Sequence, residues 1–202
     1  MRSDFLLKAS GTTLVIGLFF IAYFHLQQHP AFPVTTMPLT TLDLQIQPHA
    51  FALVAYLSLW VYIGAGPGLQ RTPREAAVYG LWIAAMCVVG LAIFYFWPTQ
   101  VPRLPEPETS GGLLSLLKHV DAAGNAFPSM HVAGATFTMI RLSELLRRIG
   151  TPSWLRAINF LWFILIAWST VATRQHVALD VAGGAALGLL FAIASLRFRS
   201  RR

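Results

Sequence analysis

Charge is scarce in this chain. Only 11% of its 202 residues are Asp, Glu, Lys or Arg, 55% are hydrophobic, and the mean hydropathy is +0.59. A soluble domain carries about 25% charged residues, so a water-soluble globule is excluded and a membrane protein is expected. Cysteine is nearly absent too. The one thiol, Cys87, lies inside an apolar run, which excludes an intrachain disulfide and a cysteine-based metal cluster. No metal or other cofactor is expected. Long low-complexity tracts and fixed-period repeats are missing as well, so residues 1–202 read as a single domain.

What fills the chain is apolar sequence in blocks. Six segments, near 9–27, 48–66, 75–97, 128–147, 154–173 and 176–196, are each long enough to cross a bilayer as a helix of about 20 residues. Turn-rich stretches such as "GPGLQRTPRE" and "WPTQVPRLPEPETSGG" separate them. The first segment follows Arg2 and Lys8 like a signal peptide. It lacks a small-x-small cleavage site and runs on into "YFHLQQH", so a retained helix is expected. The expected fold is therefore all-α, an integral membrane bundle of six helices.

Basic residues orient that bundle. Arg2, Lys8, Arg71, Arg74, Arg141, Arg147, Arg148, Arg156, Arg197, Arg199, Arg201 and Arg202 all fall on one side of an alternating six-helix path. The positive-inside rule makes that side cytoplasmic. The formal charge of +7 is thus a topology signal and not a nucleic-acid footprint. Only Arg103, Lys118 and Arg174 lie on the other side, which is expected to face the periplasm from an inner membrane.

The same outer side holds the chemistry. In "STVATRQHVALDVAGG", residues 169–184, His176 and Asp180 are four apart, a spacing that stacks them on one helix face. A carboxylate there can hold one imidazole nitrogen and leave the other free to attack. Arg174 just ahead can grip phosphate oxygens bidentately. In "AFPSMHVAGA", residues 126–135, Ser129 suits a helix N-cap and His131 sits in the first turn. The amides of Ser129, Met130 and His131 are expected to face an anion. Two histidines, a carboxylate, cations and a helix N-terminus suit phosphoryl transfer.

These residues resemble the type 2 phosphatidic acid phosphatase superfamily of membrane lipid phosphatases and phosphotransferases. Pro128-Ser129-Met130-His131 is similar to its Pro-Ser-Gly-His motif, and Arg174, His176 and Asp180 to its Arg…His-x-x-x-Asp motif. The likeness spans about 75–196. It implies His176 as nucleophile, Asp180 as its partner, His131 as general acid, and Arg174 with Ser129 on the phosphate. Three departures stand out: methionine replaces the motif glycine, one residue separates Arg174 from His176 instead of five, and the first motif's lysine is missing. Arg103 is the candidate for that motif's arginine, and Lys118 for its lost cation. Met130 and the short spacing look more like the inositol phosphorylceramide synthase branch, so hydrolysis of a phospholipid or polyprenyl phosphate and headgroup transfer both stay open.

Plainer readings compete. His131 can be a capped-helix histidine, His176 with Asp180 a buried structural pair, and Arg174 an interfacial anchor. His25, His29, His49 and His119 read as interfacial. "GAGPGL" at 64–69 fails the dinucleotide pattern, and Gly184 with Gly188 reads as a close-packing stripe. Residues 111–122 suit a short amphipathic helix at the interface. A transporter or a non-catalytic lipid-binding protein is the alternative of another class, but transporter charges cluster at the midplane beside broken helices.

Overall fold

The computed structural model describes residues 2–102 and 124–200. Among these the chain is helical: α1 (Arg2–Gln28), α2 (Thr41–Gln45), α3 (Ala50–Gly68), α4 (Pro73–Phe96), α5 (Met130–Arg148), α6 (Ser153–Ala172) and α7 (Ala178–Ser200). Two short strands, β1 (Thr35–Thr36) and β2 (Thr99–Gln100), pair in parallel, Thr35 opposite Thr99 and Thr36 opposite Gln100. Turn chemistry sets the boundaries. Thr72 caps α4 by accepting the Glu75 amide at 3.2 Å, with Pro73 in the first turn. Gly150, in the left-handed region at φ +72°, ends α5.

Among the described residues, five helical stretches are long and apolar enough to cross a membrane: Ser10–Gln28, Phe51–Gly68, Pro73–Phe96, Ser153–Ala172 and Ala178–Phe198. They leave large apolar side chains outward, including Ile21, Val61, Leu81, Leu161 and Leu190. The chain is a multi-pass membrane protein.

The sixth expected span, α5, is not among those five, because Thr136, Thr138, Arg141, Glu144, Arg147 and Arg148 lower its hydropathy. Its place in the fold supplies the physical reason. Val132 and Ala135 pack with Leu59 and Tyr62 of α3 and Phe163 and Ile166 of α6, while Ala133 and Phe137 pack with Tyr79 and Met86 of α4 and Leu187 and Ala192 of α7. Neighbours satisfy its polar groups. Thr138 meets the Tyr79 hydroxyl at 3.0 Å, Thr136 donates to the Val132 carbonyl at 2.8 Å, and Arg141 reaches Ser195 at 3.4 Å. A helix walled by protein has no need of a lipid-compatible surface.

α5 packs most extensively on α7. Gly184 and Gly188 allow it: a Cβ at Gly184 would strike the Ser129 carbonyl oxygen, and one at Gly188 the Ala133 carbonyl oxygen. The expected packing stripe is present. Gly184→Val should therefore lower stability by about 1–3 kcal/mol or more, because the atoms it meets are backbone. Gly80→Val, with nothing within 4 Å of its Cβ position, should leave the melt in detergent unchanged.

Connections at one end of the bundle are stitched together, where α1, α4 and α6 finish and α3, α5 and α7 begin. Besides the β1–β2 pair, Asn125 donates to the Tyr23 carbonyl at 2.9 Å, and the Phe127 amide donates to Thr99 Oγ1 at 2.7 Å. Met37, Val101, Ala126 and Val177 form a small apolar cluster beneath. This head end carries the candidate site.

Candidate active site

Two histidines 45 residues apart meet here. Nδ1 of His131 lies 3.1 Å from Nε2 of His176. Both are held by helix starts. Ser129 is the N-cap of α5, its Oγ accepting the Val132 amide at 3.3 Å, and this sets His131 in the first turn. His176 does not sit on a helix face as the four-residue spacing suggested. It lies in the turn before α7, which starts at Ala178. That turn follows from Arg174, whose φ of +60° reverses the chain just past α6, a position glycine usually fills. The amides of Gln175 and His176 both return to the Thr170 carbonyl, each at 3.1 Å.

Asp180 stands behind His176. Its Oδ2 is 3.6 Å from His176 Nδ1 and accepts the Val177 amide at 2.9 Å. A contact of 3.6 Å is too long for a hydrogen bond, so the carboxylate is bonded first to the start of α7, as in the back-reaching half of a capping box. His176 Nδ1 and Asp180 Oδ1 are buried without a hydrogen-bond partner among the described residues. The expected anion-facing amides need one correction: the Ser129 amide is already bound to the Asp180 carbonyl at 3.0 Å, which ties α5 to α7 directly beneath the histidines.

Two residues here escaped the sequence reading. The Tyr56 hydroxyl lies 2.8 Å from His131 Nε2, so both nitrogens of that imidazole are engaged. Asp43, only 1% exposed, binds the Ala178 amide through Oδ1 at 2.7 Å, and the Thr40 amide and hydroxyl through Oδ2 at 2.7 Å each. Its carbonyl oxygen accepts Arg174 Nη1 at 2.9 Å. Arg174 is thus anchored to the α2 segment, with Nε buried and unpartnered among the described residues. Asp43→Ala should lower stability in detergent by about 1–3 kcal/mol or more, since it strands the Ala178 and Thr40 amides. Asp43→Asn keeps one acceptor oxygen of the two, so it should recover only part of the loss.

A cavity of about 260 Å³ opens from the histidines. Apart from His131, His176, Tyr56 and Asn125 its walls are almost wholly apolar, with Phe19, Phe20 and Phe24 of α1, Trp60 of α3 and Met86 of α4 prominent. Met130, in the place of the motif glycine, lines it too. Its sulfur occupies the space a side chain at Gly90 would need.

The sequence profile of the PAP2 superfamily matches residues 76–202, more than half of the chain. The chain belongs to the PAP2 superfamily. No curated protein and no solved structure matches it. PAP2 membership supports a phosphatase or phosphotransferase type of activity, and the matched region carries Ser129, His131, Arg174, His176 and Asp180. Tyr56 and Asp43 come from the segment before it. Arg103, Lys118, His119 and the amphipathic stretch 111–122 of this PAP2 protein lie outside the described residues. His25, in the last turn of α1, and His29, just past its end, both expected to be interfacial, stack with ring centroids 4.9 Å apart. His49 caps α3, accepting the Phe51 amide at 3.1 Å. Among the described residues no three His, Cys, Asp or Glu side chains gather as a metal cage.

Proposed function

We propose that this PAP2 protein is a membrane lipid phosphate phosphatase that works through a phosphohistidine on His176. The observation that carries the reading is the 3.1 Å meeting of His131 Nδ1 and His176 Nε2 at the mouth of an apolar cavity. A phosphate enters by parting the two nitrogens, and it then has a nucleophile on one side and a proton donor on the other. Asp180 keeps the proton on Nδ1 of His176, so the lone pair of Nε2 attacks phosphorus. The P–O bond to the lipid breaks, its electron pair stays on the oxygen, and His131 Nδ1 supplies the proton. Water then attacks the phosphohistidine, gives its proton to His131 and returns the pair to His176. Arg174 and Ser129 neutralise and orient the phosphate, with Arg103 and Lys118 as the remaining outer-side cations. No step needs a metal.

The substrate is a phospholipid or polyprenyl phosphate, its hydrocarbon chain lying in the cavity walled by α1, α3 and α4. α5 completes a six-helix bundle as the inner helix, and the head end faces the periplasm from the inner membrane, opposite the arginine-rich end. A second reading is transfer of the phosphorylated headgroup to an alcohol, favoured by Met130 and by the single residue between Arg174 and His176.

Purified protein should be incubated with dioctanoyl phosphatidate and undecaprenyl phosphate in EDTA, with and without an alcohol acceptor. Free phosphate supports the phosphatase and a new phosphodiester the transferase. Neither product would leave transport or lipid binding. Sidedness has its own check. In a Cys87→Ser background, Phe32→Cys at the head end should react with an impermeant thiol reagent in intact cells, and Gly150→Cys only after lysis. The reverse pattern would invert the topology.

A further inference from the structure

Tyr56 makes no contact that the phosphatase reading requires, yet it is the residue placed most directly on the proposed acid. It is 2% exposed. Its hydroxyl is 2.8 Å from His131 Nε2, and its ring lies over the imidazole at 40° with centroids 5.0 Å apart. One turn further along α3, Trp60 meets the same imidazole edge-on at 6.1 Å. The four groups run in a line: Tyr56 hydroxyl, His131, His176, Asp180. We propose that Tyr56 is a positioning residue for the general acid, its hydroxyl holding His131 so that Nδ1 faces the reacting phosphate through every protonation state. This rests on the phosphatase reading above.

The choice of a phenol has a chemical reason. Before substrate arrives, Nδ1 of His131 faces Nε2 of His176, and a single proton can lie between them. Asp180 draws the His176 proton to Nδ1, so the shared proton belongs to His131 Nδ1. A neutral His131 then has a bare Nε2, which needs a donor. When His131 carries both protons and serves as acid, Nε2–H needs an acceptor. After Nδ1 has given its proton to the leaving oxygen, Nε2–H still needs that acceptor, while Nδ1 stands ready for the proton of water. A hydroxyl can donate in the first state and accept in the other two. A carboxylate or a backbone carbonyl can only accept. An ammonium can only donate. Nothing in the cycle is consumed at Tyr56, and no proton leaves its oxygen.

Tyr56→Phe keeps the ring in its packing and removes only the oxygen. Two measurements decide the matter. The first compares leaving groups: dioctanoyl phosphatidate departs as an alkoxide and needs its proton, whereas the phenolate of 4-nitrophenyl phosphate does not. General acid catalysis as a whole contributes about 10²–10⁴-fold. Loss of its positioning partner should therefore lower kcat for the phosphatidate roughly 10- to 100-fold, while phosphorylation by the aryl ester changes less than about threefold. Equal losses for both esters, or none for either, would overturn the proposal. The second is ¹⁵N NMR of histidine-labelled protein in micelles, with the His131 signals assigned from His131→Ala. At a pH where His131 is neutral, both proteins should show it protonated at Nδ1, because His176 Nε2 still takes that proton's hydrogen bond, but in Tyr56→Phe the bare Nε2 should move downfield as it loses the phenol's hydrogen bond. An unmoved Nε2 signal would sink the idea whatever the protein cleaves. If the unmodified protein turns over neither ester, the phosphatase reading fails, and the Nε2 signal alone still decides the role of Tyr56.

Discussion

His131→Ala should accept a phosphoryl group from an activated aryl phosphate and then fail to release it. In the proposed mechanism the two halves of the reaction ask different things of His131. In the first half it protonates the departing oxygen, and a nitrophenolate leaves without that help. In the second it must take a proton from incoming water, and no leaving group can stand in for a missing base. The phosphohistidine should therefore accumulate, labile to acid, on His176. His176→Ala should give no phosphoenzyme with any ester. The geometry sharpens the expectation, since Nε2 of His176 is 3.1 Å from the nitrogen that would be deleted. Samples quenched in alkaline detergent and run on gels at neutral to alkaline pH, after incubation with a ³²P-labelled aryl phosphate, read the outcome, and loss of the label on acid treatment marks it as phosphohistidine. A phosphoenzyme that survives His176→Ala moves the nucleophile elsewhere. Absence of any phosphoenzyme in both variants points to direct displacement by water.

Asp180→Asn should fold and lose activity by a large factor, of order 10⁴, as the equivalent change does in a serine-protease triad. That factor is about 5.4 kcal/mol of transition-state stabilisation. The amide oxygen of asparagine can still accept the Val177 N–H that Asp180 Oδ2 takes at 2.9 Å, so the start of α7 keeps its cap. What changes is the partner of His176. The oxygen that keeps the Val177 N–H is the one 3.6 Å from Nδ1, so what Asp180→Asn removes is the negative charge that holds the Nδ1 proton and offsets the positive charge the ring gains on phosphorylation. Asp180→Ala makes the contrast, because it should lose the cap as well and lower the melt. Near-normal turnover by Asp180→Asn would reduce Asp180 to a capping residue. Steady-state phosphate release, read beside thermal unfolding in detergent, separates the two roles.

The sequence disclosed the parts of this molecule that depend on local pattern. The five candidate spans overlap five of the six expected apolar segments with only small shifts at their ends, because a bilayer-crossing helix is written in about 20 consecutive side chains. His131, His176 and Asp180 were legible as a set by residue type, spacing and family likeness. Contacts made across long stretches of chain were not legible. Tyr56 lies 75 residues from His131, and Asp43 is 135 residues from the Ala178 amide it caps. Nothing local distinguishes Tyr56 from the other aromatic residues of the spans, and both residues lie before the matched region. The place of His176 ahead of α7 was hidden too, since four-residue spacing looks the same whether the helix begins at 176 or at 178. Only the left-handed backbone at Arg174 reveals where α6 stops and the turn begins.

The polarity of α5 has a bearing on how the protein is made. A segment with Thr136, Thr138 and Arg141 buried along it gains little by leaving a translocon for lipid on its own, since polar and charged side chains within a span oppose insertion. In the six-helix reading it enters the bilayer as a guest of α3, α4, α6 and α7. Two of those hosts, α6 and α7, are synthesised after it. The helix that carries His131 thus waits on α7, which carries Asp180, and the histidine pair first exists once α7 has been made. A nascent chain interrupted before α7 would then hold neither a settled α5 nor a working phosphate site.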